Sequence, residues 1–374
     1  RGTVVIVDHT ATCFSRLWCV YEIYSSLLLS KHEKYTFDLY TAFPHRVEGL
    51  VGGVEKRAAV GITDGMIPVD FNAEAKWSRQ SHFPAKRLDL GITFDCRKGR
   101  ASFKLDEERI HRAIGDDHKT TLNNRVHGVI AASLLRRVLE TKTNNHEEGN
   151  ERKASQYLDA FEKGKVRKLS LFMGDSPADT QENIMMVLGK LDSKECKLLD
   201  LQSNAIAYLP DNFTRFGNMT HLCLSGCSRI KKLPESFGDL GCLHSLLWQF
   251  CTSLKCLPDS IGNLKLLNKM SLDCCTSLTE LPDSFGGLAS LCHLYLTGCS
   301  GLIKLPDSFA NLQELRVLHL SRCTNLAELP SDLSLSLVDL QLEYCSSLTY
   351  LPQSMANLDS LQKLSLWGCT GLRT

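Results

Sequence analysis

An α/β chain in two parts is what the sequence predicts: a curved solenoid of stacked repeats with a concave parallel sheet, preceded by a partial βαβ domain. Two observations predict it. From residue 222 onward one phrase recurs, Leu-x-Leu-x-x-Cys-x-x-Leu-x-x-Leu-Pro, followed by Asp-Ser-Phe-Gly-Asn-Leu or a close variant. Cys227, Cys251, Cys275, Cys299 and Cys323 stand 24 residues apart, with a step of 22 to Cys345 and of 24 to Cys369. Pro234, Pro258, Pro282, Pro306, Pro330 and Pro352 keep the same beat. A fixed period in this range means units too small to bury an apolar face except against their neighbours. Ahead of the repeats, strand-like runs alternate with helix-like ones, the pattern of an α/β sheet domain.

Taken in order, Gly2-Thr-Val-Val-Ile-Val-Asp8 is the short apolar run of a buried parallel strand. Between Ser15 and Ser30, Trp18, Cys19, Glu22 and Ile23 fall at near-helical spacing. Tyr35 to Tyr40 predicts a second strand and Ile92 to Cys96 a third, while residues 45 to 90 are Gly-rich and poorly periodic. Asp106-Glu-Glu-Arg-Ile-His-Arg-Ala-Ile114 and Leu122 to Leu139 predict helices. The charged run Lys142 to Lys168 predicts a linker with one short helix around Tyr157 to Phe161. The expected domains are therefore residues 1–140, a linker over 141–165, and a solenoid over 166–374.

Within a repeat, Leu294 and Leu296 are two apart, so both point to one side of a short strand. Cys299, Leu302 and Leu305, then Phe309, Leu312 and Leu315, are the next inward positions. The polar segment after each Leu-Pro, usually Asp-Ser, Glu-Ser or Gln-Ser, is suited to cap a short helical or 3₁₀ turn on the outer side. Strands stacked at about 4.8 Å against broader outer segments bend the stack, which puts the sheet on the concave face. The short repeat loses its two residues between Pro330 and Cys345, outside the strands. The first units are irregular: Leu199, Leu201 and Asn204 form a repeat with Asn in the cysteine slot, and Leu169 with Leu171 begins the stack.

The repeats resemble leucine-rich repeats, and their Cys-x-x-Leu-x-x-Leu-Pro-x-Ser wording is similar to that of plant intracellular disease-resistance receptors. They lack the Gly-x-Ile-Pro segment of plant cell-surface repeats, so the resemblance implies an intracellular, cytoplasmic protein. A second resemblance lies near the start. Val4-Val-Ile-Val-Asp8 followed by Ser15-Arg-Leu-Trp-Cys-Val-Tyr-Glu-Ile23 is similar to the Ser-x-x-Trp-Cys-x-x-Glu-Leu element of Toll/interleukin-receptor (TIR) domains, more closely to the TIR-like modules of algae and protists. In NAD-cleaving members the Glu of this element is catalytic, which implies Glu22 here and NAD as the ligand if the module is active. A carboxylate beside a ribose can hold its hydroxyls and stabilise an oxocarbenium-like centre as nicotinamide leaves. Gly49-Leu-Val-Gly-Gly-Val-Glu-Lys56 lacks the Gly-Lys-Ser/Thr ending of a phosphate loop, so the nucleotide switch of those plant receptors is missing. Arg1 is no initiator and the last repeat stops at Thr374 without a polar cap, so a fragment at both ends is expected.

Sixteen cysteines would suit a disulfide scaffold or a metal site, but seven of them occupy the one ladder slot. Neighbouring ladder thiols would have nearly parallel Cβ vectors about 4.8 Å apart, beyond the disulfide separation of about 3.8 Å. Reduced, structural thiols and a cytosolic setting follow. A formal net charge of +1 leaves no electrostatic footprint for nucleic acid, and no apolar run reaches the roughly 18 residues of a membrane span.

The outward strand positions vary from repeat to repeat while the inward ones are mostly Leu. His221, Lys269, Asp273, His293, Tyr295, His319, Gln341, Glu343 and Trp367 are the candidate binding residues, a mixture of aromatic and charged side chains suited to protein recognition. His293 and His319 fall in different columns, so no metal pair is expected. The sequence thus predicts a scaffold or intracellular receptor that binds a protein partner, with immune-type signalling implied by resemblance. Its rivals are NAD cleavage through Glu22 and a passive repeat protein. If the TIR resemblance is functional, the full-length protein should release nicotinamide from NAD and Glu22→Gln should lower turnover by about 10²–10⁴-fold without unfolding it; unchanged turnover in the variant removes Glu22 from the mechanism. The outcome expected is no turnover, with the module serving as a scaffold.

Overall fold

A computed structural model describes residues 2–7, 36–41, 60–61, 95–100, 104–144, 148–171 and 177–373. The chain forms two compact units, Arg1–Val166 with Gly189–Asp192, and Arg167–Leu188 with Ser193–Thr374. In the first, β1 (Gly2–Val7) and β2 (Thr36–Thr41) pair in parallel; β1 lies within the run that predicts a strand and β2 is displaced by one residue from Tyr35–Tyr40. β3 (Val60–Gly61) adds to β2 antiparallel, inside the aperiodic stretch, because two residues are too few to show a period. The strand expected at Ile92–Cys96 is corrected at its described end. There the Asp95 carboxylate accepts from the Arg97 N–H at 3.1 Å and caps a 3₁₀ turn, Cys96–Lys98, and the Cys96 N–H donates to Asn123 Oδ1 at 2.9 Å.

Three helices follow. α1 (Lys104–Ile114) buries Ile110 and Ile114, one turn apart, and stops at Gly115, whose φ of +73° ends it. α2 (Asp116–Asn144) buries Leu122, Val126, Ile130, Leu135 and Leu139. α3 (Glu148–Lys163) is longer than the short helix expected there. Its Tyr157, Leu158 and Phe161 are buried while Asp159, Glu162 and Lys163 are exposed, so the charged run conceals an amphipathic helix. α2 and α3 meet backbone to backbone, and a Cβ on Gly128 would collide with Gly164.

The second unit takes one strand from each repeat. β4 (Lys168–Ser170), β5 (Leu198–Asp200), β6 (His221–Cys223), β7 (Ser245–Leu247), β8 (Lys269–Ser271), β9 (His293–Tyr295), β10 (Val317–His319), β11 (Asp339–Gln341) and β12 (Lys363–Ser365) stack in chain order as one parallel sheet. The register aligns Leu169, Leu199, Leu222, Leu246, Met270, Leu294, Leu318 and Leu340, all buried. Phe285 and Phe309 stack in the same interior at 5.5 Å with their planes 8° apart. Between β4 and β5 the chain forms a helix, α4 (Pro177–Lys190), where later coils have 3₁₀ turns such as Asp283–Gly287 and Asp307–Asn311. The short repeat merely bends at Ser331 and Asp332, and Val317 still faces Asp339.

Two side-chain ladders join the coils. Cys275 Sγ donates to the Trp248 carbonyl, Cys299 Sγ to that of Leu272 and Cys323 Sγ to that of Leu296, each at 3.1 Å and each reaching back one coil. Asn204 does the same with its amide, to Leu171 O at 2.7 Å. The second ladder corrects an expectation. The serine after Leu-Pro does not cap its own turn, because a proline holds the N-cap position with no side-chain cap. Instead Ser260 Oγ accepts from the Gly238 N–H at 3.0 Å and Ser308 Oγ from that of Gly286 at 3.2 Å, tying neighbouring coils together.

Leu294 and Leu318 each fill the space between coils and are fully buried. Truncating either to Ala should therefore destabilise the solenoid by about 2–5 kcal/mol. A chemical-denaturation midpoint unmoved by both substitutions would contradict this packing.

Candidate interaction face

The strand register fixes what shares the outward face. His221, Ser245, Lys269 and His293 line up at the first strand position, then Val317, Asp339 and Lys363. Tyr295 and His319 are opposite each other in the middle, with ring centroids 5.0 Å apart and nearly perpendicular. His293 faces Val317 instead, so the two histidines are diagonal. Lys269 Nζ lies 5.6 Å from the centre of the Tyr295 ring.

The acidic candidates are not free carboxylates. Asp273 accepts from Gln249 Nε2 at 3.0 Å, Ser271 Oγ at 2.7 Å and the Thr297 N–H at 2.8 Å, and so bridges three coils. Asp339, a residue the sequence did not single out, lies 3.6 Å from Lys363 Nζ and 3.7 Å from His319 Nε2, and it accepts from Gln341 at 3.3 Å. Glu343 accepts from Ser365 Oγ at 2.8 Å, and His221 Nδ1 is 2.9 Å from Thr220 Oγ1. Trp367 is 68% exposed, and its ring meets Tyr344 edge-on at 4.7 Å. Glu22 lies outside the described residues.

One column at the margin of this face escaped the sequence reading. The residue just before each ladder position has a positive φ: Gly226, Gly298 and Gly368 at 74–76°, but also Phe250, Cys274, Arg322 and Tyr344 at 58–63°. The backbone must swing there from the sheet into the core, which throws the side chain outward. Phe250 is 57% exposed, Tyr344 is exposed, and the Arg322 guanidinium stands 5.4 Å from the centre of the Tyr344 ring. The available signal was Phe, Arg and Tyr standing where sister repeats have Gly.

The ladder thiols have a different role. Burial pushes Cys275 and Cys345 up to about 12, so they stay protonated and serve as donors. Among the described residues no helix is long and apolar enough to cross a membrane.

No protein-family model matches the chain, and no curated protein does. Solved structures do. The leucine-rich repeat domain of the type III effector XCV3220 (XopL) is 22% identical over 71% of this chain and 88% of that one, with a TM-score of 0.49. Toll, from the Toll–Spatzle complex of Drosophila, is 21% identical over 57% of this chain and 28% of that one, with a TM-score of 0.43. The Arabidopsis receptor kinase HAESA, in complex with the peptide hormone IDA and the co-receptor SERK1, is 21% identical over 56% of this chain and 39% of that one, with a TM-score of 0.37. The second unit is a leucine-rich-repeat solenoid on its own geometry: one short parallel strand per repeat, leucines inward, and a ladder side chain in each coil.

Proposed function

We propose that this chain is a recognition scaffold that binds a protein partner through the strand face of its repeats and the adjoining turn margin. The observation that carries the reading is Phe250, Arg322 and Tyr344 in a left-handed slot that glycine fills in sister coils. A left-handed conformation costs a non-glycine residue roughly 1–2 kcal/mol. Bulky exposed side chains kept at that cost point to use on the surface, since the coil closes equally well with glycine. Aromatic and arginine side chains are also those that anchor protein interfaces. The proposal includes a cytosolic setting, supported by ladder thiols bonded to carbonyls, and immune-type signalling with a TIR-like module ahead of the repeats, supported by the sequence resemblance.

Phe250→Gly separates this reading from a passive repeat. Strain relief of roughly 1–2 kcal/mol is set against the roughly 0.5–1 kcal/mol entropic cost of glycine and the loss of the partly buried ring, so the unfolding midpoint should move far less than on a core truncation. Tyr344→Gly also loses the ring contacts with Trp367 and Arg322 and more buried surface, so it should lower the midpoint somewhat more than Phe250→Gly. Combined with Tyr295→Ala and Trp367→Ala, these changes should abolish quantitative affinity capture of partner proteins from source-cell extract. Capture equal to that of the unsubstituted protein would leave the passive-repeat reading.

A further inference from the structure

One edge of the strand face carries positive charge that the described residues do not neutralise. Lys269 and His293 open β8 and β9 and are paired in register. Arg316 immediately precedes β10, and its N–H donates to the Cys292 carbonyl at 2.9 Å, which puts it at the same edge one strand further on. Burial, then the charges of Lys269 and Arg316, push the His293 imidazole below its ordinary pKa, as expected of cations crowded together. The carboxylates of this face have partners of their own: Asp273 has its three donors just past the other end of β8, and Asp339, which opens β11 at this same edge, has Lys363 and His319. Among the described residues no ion pair involves Lys269 or Arg316.

We infer that this edge receives an acidic segment of the protein partner, with Asp or Glu carboxylates on Lys269 and Arg316 and the Tyr295 ring as the apolar contact. The inference rests on the protein-binding reading above and names the chemistry of what binds. Lys269 and Arg316 are two strand spacings apart, about 10 Å, so one short extended stretch reaches both. Arg316 is exposed and offers a planar fork that matches a carboxylate with two parallel bonds. Lys269, held over the Tyr295 ring, supplies a point charge beside an aromatic surface of the kind that anchors interfaces. The opposite end of these strands carries Asp273 and Glu343, so a segment acidic throughout its width would be repelled there. Docking is thereby oriented, acidic side toward the strand starts.

The test is selection of a random-sequence peptide display library on the whole 374-residue chain. Enriched peptides should carry clustered Asp and Glu well above the library background. An enriched peptide should bind about tenfold or more weakly to K269E/R316E, and more weakly to K269Q/R316Q, with unfolding midpoints unchanged. The off-face reversal K232E/K255E, of equal charge change, should leave affinity within about twofold. Enrichment without acidic bias, or equal weakening by the off-face reversal, overturns the acidic assignment and leaves the strand-face reading standing. Tighter binding of a phosphotyrosine peptide than of its Glu counterpart also overturns it, in favour of phosphate recognition. Failure to enrich any peptide above an unrelated control protein counts against the protein-binding reading itself and removes this inference with it.

Discussion

A side-chain donor reaching back one coil to a backbone carbonyl sets the geometry of each repeat from Asn204 to Cys369. At Leu272 the carbonyl accepts the Cys275 N–H of its own turn and the Cys299 thiol of the next coil, both at 3.1 Å, so both lone pairs are used. For the thiol to point inward, the chain must leave the sheet abruptly, and the residue before it takes a positive φ in every coil from Ser203 to Gly368. Short strands follow from this, because the sheet can run only to that bend. So does the exposed margin, since whatever occupies the bend projects outward.

The same constraint links fold to function. The inward columns are pinned by packing and by the thiol ladder, and they stay apolar or ladder-forming: Met270 and the larger Trp248 stand among leucines and Asn204 among cysteines. The outward columns have no such restriction. The charged groups that join neighbouring coils, Asp273 and Asp339 above all, are engaged with donors and cations of the solenoid itself. Lys269, Arg316, Phe250 and Trp367 have no comparable internal duty. A face that is part structural brace and part exposed anchor is what the strand register produces from this sequence.

Much of this was legible beforehand for one reason: a repeat states each position several times. Inward leucines, the ladder cysteines and the site of the two-residue deletion could be read from spacing, because packing between coils permits no drift. Asp273 was legible as a face residue but not as a brace, because hydrogen bonds across coils leave no period. The left-handed margin was hidden, since φ is invisible in sequence except where glycine marks it, and Phe250 and Tyr344 do not look like turn residues. Before the repeats, each element occurs once. There a cap at Asp95 turned an expected strand end into a 3₁₀ turn, and the burial of Tyr157 and Phe161 lengthened a helix that its charge had obscured.

Alkylation of individual thiols, followed by peptide mass spectrometry across a denaturant series, tests the ladder most directly. Cys251, Cys275, Cys299 and Cys323 are fully buried, whereas Cys256 is exposed. Cys256 should label at once in the native protein. The four ladder thiols should stay protected and then become reactive together, at the midpoint of global unfolding. Native-state labelling of the ladder thiols at the rate of Cys256 would contradict the account, because thiols bonded between coils cannot be reached while the coils remain stacked.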